Sequence, residues 1–373
     1  MSSSRDVRII YLELANLSTE LFQILVSCSL YCYRSQQRNH SMLLLASVPA
    51  IFRHSFIRIS RLCFSGIPHN LNLKEGSAIS QTLRGCGQVV FLGDASQGAA
   101  VLAGLAIGDP TLAAFAFGGG AWCTALSRVM LNEDDEPTNN GLHAYNGILV
   151  GAAFSAFLGP NPLAIAGATI VGSTGTFALS RVLGAYHPFG PQWTFAFNAV
   201  AIGGLMTSNL VAPVSIMKPA VDDIIVERAL GLSDLMYSPL TGVSQIFLVN
   251  SPISGAVLLG AIAISSPLAA THAGIGAMIG TGLGVFTSAD YVTIAHGLWG
   301  FNPCLTSLSV AIFFPTLSVG QLALSTGGAV CTALLSSSIG PIVMNTFGTP
   351  AFTLPFCFVA TATYGIGRAM KLK

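Results

Sequence analysis

From Gln81 to the C-terminus the chain is a succession of apolar stretches, each near the ~20 residues a helix needs to cross a bilayer. They fall at roughly 81–107, 111–130, 143–159, 163–183 and 192–214, then 239–264, 266–287, 298–316, 319–343 and 351–369. Breaks coincide with Pro110, Pro160 and Pro162, Pro188 and Pro191, Pro267, Pro315 and Pro350. Only 8% of the 373 residues are charged and 52% are hydrophobic. An ordinary soluble domain carries about 25% charged residues, so no solvated surface can be assembled from this inventory. The expected fold class is therefore an all-α polytopic membrane protein surrounded by the lipid bilayer, because helices satisfy their own backbone hydrogen bonds in lipid. Forty glycines favour close helix–helix contact.

Several functions are excluded at this level. A net charge of +1 gives nucleic acid no electrostatic footprint. The eight cysteines are scattered; only Cys28 and Cys32 are close, and they lack zinc-site spacing and a second pair. No metal site, disulfide framework or cofactor is expected, and no nucleotide-binding loop of the GxxxxGK[ST] type occurs. No nucleophile–base constellation recurs, so the chain does not read as an enzyme.

Residues 1–75 form a distinct tail with eight of the 16 basic and four of the 15 acidic residues. Five arginines and no acid lie between Tyr33 and Phe64, which suits either an interfacial cytoplasmic tail or an organellar targeting segment. The plasma membrane is the expected location, with an organellar membrane as the alternative. Residues 76–214 read as a first transmembrane repeat, 215–236 as an external linker rich in acids, and 237–373 as a second repeat. Arg128, Arg181, Arg368, Lys371 and Lys373 then fall on the inner side, in accord with the positive-inside rule.

The repeat rests on register. Gln88-Val-Val-Phe-Leu-Gly-Asp-Ala-Ser-Gln-Gly98 aligns with Gln245-Ile-Phe-Leu-Val-Asn-Ser-Pro-Ile-Ser-Gly255; Gly141-Leu-His-Ala-Tyr-Asn146 aligns with Gly297-Leu-Trp-Gly-Phe-Asn302; Thr194-Phe-Ala-Phe-Asn198 aligns with Thr353-Leu-Pro-Phe-Cys357. Five crossings per half would bring the second half in from the opposite side, giving two inverted-topology repeats. Transporters built this way bind their solute near the midplane between the halves.

Matched positions should line that path. They are Gln88 with Gln245, Tyr145 with Phe301, Leu149 with Leu305, Asn146 with Asn302, and Ser173 with Thr332; Thr174 is adjacent to Ser173 and is the other choice there. Amide, hydroxyl, aromatic and aliphatic groups without charge suit a small, neutral, planar solute with N–H donors. A charged solute in low dielectric would need a counter-charge. A lone Gln in a membrane helix is often interhelical glue, but a Gln matched to a Gln across the repeat favours the path.

At these residues the chain resembles the urea transporter (urea channel) family. The resemblance is carried by Arg84-Gly-Cys-Gly-Gln-Val-Val-Phe91, Gly242-Val-Ser-Gln-Ile-Phe247, Asn250-Ser-Pro-Ile-Ser-Gly255, Ser265-Ser-Pro-Leu268 before His272, Gly297-Leu-Trp-Gly-Phe-Asn302 and Phe352-Thr-Leu-Pro-Phe-Cys357, covering about 80–371. It implies a homotrimer with one pore per protomer and five spanning helices plus a re-entrant half-helix per half, so one apolar stretch must hide a half-span. It also implies passive passage of urea along a ladder of acceptor oxygens between aromatic walls. Carried over by motif, Gln88 and Gln245 stand at two urea subsites. Val89, Phe91, Tyr145 and Leu149 wall one, Ile246, Leu248, Phe301 and Leu305 the other, and Ser173 and Thr332 hold the constriction between them.

This chain departs from the pattern at Leu248, which faces Phe91 in register, at His143 and Tyr145, at Pro303, and at Gly93-Asp-Ala-Ser96. The second half is thus expected to be the more regular site. Asp94, if it faced the path, would open the option of proton coupling. A channel for ammonia or another small amide is the neighbouring alternative, and a non-conducting scaffold or sensor the alternative of another class.

Overall fold

The computed structural model describes residues 76–131, 135–186, 190–211 and 231–373. The readings of the 1–75 tail and of the linker acids Asp222, Asp223 and Glu227 lie outside those residues. The described residues form fourteen helices and no strand. In chain order they are α1 (Ala78–Gln88), α2 (Ala95–Gly108), α3 (Pro110–Met130), α4 (Glu136–Asn139), α5 (Tyr145–Phe157), α6 (Pro162–Tyr186), α7 (Phe195–Val211), α8 (Leu232–Gln245), α9 (Pro252–Ser265), α10 (Pro267–Phe286), α11 (Tyr291–Ala295), α12 (Phe301–Phe313), α13 (Val319–Phe347) and α14 (Leu354–Ala369).

The same succession of helix lengths occurs twice. The pairs α2 and α9 have 14 residues each, α3 and α10 have 21 and 20, and α5 and α12 have 13 each. Packing repeats too: α3 lies along α5 and α10 along α12, while α2 packs on α9 across the halves. Among the described residues, three helices are long and apolar enough to cross a membrane, spanning Pro162–Ala185, Pro267–Phe286 and Val319–Phe347.

Two expected segments are each two helices. The stretch 81–107 breaks between α1 and α2, and 239–264 breaks between α8 and α9. At ~1.5 Å per residue, 11-residue α1 reaches only ~17 Å, about half a bilayer core. The stretches 143–159 and 298–316 contribute 13-residue helices, because tight turns at Gly141–Ala144 and Gly297–Gly300 delay their start. Helix α8 begins at Leu232, inside the stretch read as linker.

Local chemistry explains the starts. Asp109 accepts a hydrogen bond from the Leu112 backbone N–H at 2.9 Å, with Pro110 at the first helical position. Ser251 before Pro252 and Ser266 before Pro267 cap α9 and α10 in the same way. Asp94 stands at the N-cap of α2, where the second half uses Ser251, so Gly93-Asp-Ala-Ser96 still opens a helix. Asp94 is exposed in the single chain.

One continuous core joins both halves. It runs through Val89, Ile148, Leu149, Phe197, Ile246, Phe247, Leu258, Leu305 and Phe356, all nearly inaccessible.

Candidate functional site

Each half reverses direction after its glutamine. Helix α1 ends at Gln88, and the chain turns through Val89, Val90 and Phe91, with the Phe91 N–H donating to the Gln88 carbonyl at 3.1 Å. Helix α8 ends at Gln245, and Leu248 donates to the Gln245 carbonyl at 3.0 Å. Phe91 (φ 61°) and Leu248 (φ 64°) both adopt the left-handed conformation. Bulky residues hold it only where packing over-determines the backbone, and such positions cluster at functional sites.

A glycine pair positions the partner of each glutamine. Gly141 and Gly297 have φ of 73° and 69°, and a Cβ on either would strike the backbone of Gly85 or Gly242. That closeness brings the preceding carbonyls onto the glutamines: Gln88 Nε2 donates to the Asn140 oxygen and Gln245 Nε2 to the His296 oxygen, both at 3.0 Å. A carbonyl can only accept, so the Nε2 face of each amide is fixed. The Oε1 on the other side is the atom presented as an acceptor.

The flanking residues are almost wholly buried, with Val89 at 5%, Leu149 at 1%, Ile246 at 2% and Leu305 at 1% exposure. Phe91, Tyr145, Leu248 and Phe301 are half-buried and pack against the same core. The Phe91 ring meets Trp193 and Phe313 edge to face, at 6.2 Å each. The Tyr145 hydroxyl donates to the Trp193 carbonyl.

The hydroxyl positions differ between the halves. Thr332 is buried, donates to the Gly328 carbonyl at 2.8 Å and shares a 2.8 Å hydrogen bond with Thr306. Ser173 is equally buried, but its Oγ has no hydrogen-bond partner among the described residues. Val150 stands in the register of Thr306, so the hydroxyl that bonds Thr332 has no counterpart beside Ser173. Thr174 faces outward, donating to the Ile170 carbonyl at 2.9 Å and accepting from the Trp122 indole. The motif asparagines also differ, since Asn146 donates to Ser180 Oγ at 3.1 Å and Asn302 to the Phe352 carbonyl at 3.0 Å.

Between the halves lies a polar knot. Thr194 and Thr353 share a hydrogen bond at 2.7 Å, Asn198 Nδ2 reaches Thr353 Oγ1 at 3.0 Å, and Cys357 Sγ lies 3.1 Å from Thr194 Oγ1. Thr353 is the register counterpart of Thr194, and Cys357 that of Asn198. Among the described residues no group of His, Cys, Asp and Glu could hold a metal ion. A shallow depression of about 660 Å³ on the outer side of α14, lined by Gly190, Thr361, Tyr364 and Arg368, shares no residue with the glutamine turns.

Three contributors escaped the sequence reading: the carbonyls of Asn140 and His296, and Trp193. Trp193 aligns with Phe352 at the offset of the Thr194 and Thr353 motifs, so the register could have flagged it.

The family described as Urea transporter is matched over residues 79–368, which takes in both glutamine turns. Urea transporter 1 of Ovis aries is 30% identical over 294 residues, covering 75% of this chain and 74% of the relative. Urea transporter 1 of Capra hircus is 31% identical with the same coverage. That of Mus musculus is 30% identical over 290 residues, covering 74% and 73%.

Proposed function

The chain belongs to the urea transporter family, an integral-membrane and non-enzymatic family, and from that premise we propose how it moves urea. The protein transports urea across a membrane. Each protomer does so passively, through its own pore, with Gln88 and Gln245 at successive subsites.

The observation that carries this reading is the matched pair of clamped amides, each with Nε2 held by a carbonyl at 3.0 Å. A fixed Oε1 accepts a urea N–H without first being reoriented, so its ordering cost is met in folding. Phe91, Val89, Tyr145 and Leu149 wall the first subsite, and Leu248, Ile246, Phe301 and Leu305 the second. Aromatic and aliphatic faces flank the urea plane while hydrogen bonds form at its edge. Ser173 and Thr332 supply hydroxyls between the subsites, and the unpartnered Ser173 Oγ is free to bond a passing urea. Conduction needs each site to be shallow, so affinity should be weak.

The two halves are inverted repeats related by a two-fold axis in the membrane plane. The Thr194–Thr353 contact supports a two-fold relation, because counterparts meet close to such an axis, and an odd number of crossings per half lays the axis in the membrane plane. Helices α1 and α8, which end at the glutamine turns, are the re-entrant half-spans, with five further spanning segments per half. The protein works as a homotrimer in the plasma membrane, with residues 1–75 as an N-terminal tail and 215–236 as an external linker. Asp94, placed as a helix cap, gives no reason for proton coupling.

The test is solute flux in vesicles containing the purified protein, read by stopped-flow light scattering. Urea should equilibrate down its gradient, and Gln245→Leu should slow it. Uphill urea accumulation driven by a pH gradient would refute the passive mechanism.

A further inference from the structure

We propose that Trp193 is the positioning residue of the first urea subsite, and that it makes this subsite the one that rejects substituted ureas. The inference rests on the pathway proposed above and adds to it a residue outside both glutamine turns. Both aromatic walls of the first subsite are tied to Trp193. The Phe91 ring meets the indole edge to face at 6.2 Å, and the Tyr145 hydroxyl donates to the Trp193 carbonyl. Trp193 is itself 5% exposed and left-handed, with φ 45°.

What holds Trp193 belongs to the other half of the protein. Its indole Nε1–H donates to Thr361 Oγ1 on α14 at 2.9 Å, and that hydroxyl donates onward to the Cys357 carbonyl at 2.8 Å. Its ring also meets Phe313 of α12 at 5.4 Å and Phe356 of α14 at 5.5 Å, both edge to face. The walls are therefore set against two helices of the opposite half. They cannot spread without breaking a hydrogen bond and the edge-to-face contacts.

The second subsite lacks this device. In the register of Trp193 stands Phe352, with the same φ of 45° but no indole N–H. Its rings of contact are Phe157 at 5.7 Å and Phe197 at 5.2 Å, and its carbonyl takes a bond from Asn302 rather than from a wall residue. Leu248 replaces Phe91, so that wall has no ring to be held, and Phe301 replaces Tyr145, so the remaining ring has no hydroxyl to tie it. The first subsite is thus braced and the second yields, so the half whose motifs are less regular holds the stricter site.

The experiment measures vesicle permeability to urea and to N-methylurea for Trp193→Phe, Thr361→Val and the double variant, with Gln88→Leu alongside. Trp193→Phe should raise the methylurea-to-urea ratio by roughly two- to tenfold, the scale of one lost hydrogen bond. Thr361→Val should raise it too. The double variant should match Trp193→Phe alone, because Thr361 acts only through the indole N–H. An unchanged ratio in Thr361→Val, or a double variant equal to the product of the singles, overturns the proposal. If Trp193→Phe fails to fold, Thr361→Val and Tyr145→Phe, each removing one tie to Trp193, decide the matter by the same ratio. Urea flux unaffected by Gln88→Leu would instead sink the pathway itself. A Gln88→Leu effect with no change of ratio in the Trp193 and Thr361 variants would sink this inference alone.

Discussion

Replacing the two glutamines singly and together tests whether they act in succession. Gln245→Leu removes the acceptor that the proposed pathway offers to urea and leaves the His296 carbonyl, held at 3.0 Å, without its donor. Gln245 is only 7% exposed, so water replaces neither group well. A buried hydrogen-bonding group left unpaired costs about 1–3 kcal/mol. A rise of ~1.4 kcal/mol in the barrier at that stage slows it about tenfold. For two comparable stages in series, resistances add, so a tenfold slower stage cuts total flux only about fivefold. Gln88→Leu, which frees the Asn140 carbonyl, should do the same. With both stages slowed, the double variant should reach about tenfold, only about twice the effect of either single. If one urea touched both glutamines at once, the barriers would add and the double variant would fall about a hundredfold. The assay is stopped-flow urea efflux from vesicles at matched protein content. Single variants with unaltered flux, or a double equal to the product of the singles, would refute two successive subsites.

Further outcomes follow from the packing. A Cβ at Gly98 or Gly255 would drive into the carbonyl oxygen of Leu83 or Leu240, so Gly98→Ala and Gly255→Ala should each destabilise the fold by about 1–3 kcal/mol, read as a lower thermal midpoint. Gly260→Ala and Gly327→Ala meet nothing within 4 Å and should leave that midpoint in place. A double-mutant cycle of Thr194→Val and Thr353→Val should show coupling of about 1 kcal/mol in stability, and additivity would argue against their shared hydrogen bond. Asn302→Leu strips the buried Phe352 carbonyl of its donor and should cost about 1–3 kcal/mol in the same measurement.

The linear order of residues determined a good deal. Run length and the scarcity of charge are properties of the unfolded string, and they were enough for a helical membrane protein. Register-matched positions in the two halves keep their residue types and local structure: Gln88 and Gln245 each end a helix, and Gly141 and Gly297 share a left-handed turn. Hydropathy could not locate the breaks after those glutamines. Val89, Val90, Phe91 and Leu92 are as apolar as the helices beside them, so the 81–107 and 239–264 stretches looked continuous.

Only the tertiary structure decided which groups meet. Asn140 and His296 share no side-chain chemistry, yet each gives a glutamine the same backbone carbonyl because a glycine pair allows the approach. A backbone acceptor leaves no trace in residue identity. Ser173 and Thr332 looked equivalent, yet Thr332 bonds both Gly328 and Thr306 while the Ser173 hydroxyl has no partner among the described residues. Trp193 reads in sequence as one more membrane aromatic. Its reach to Thr361, 168 residues on, exists only once the two halves are folded against each other.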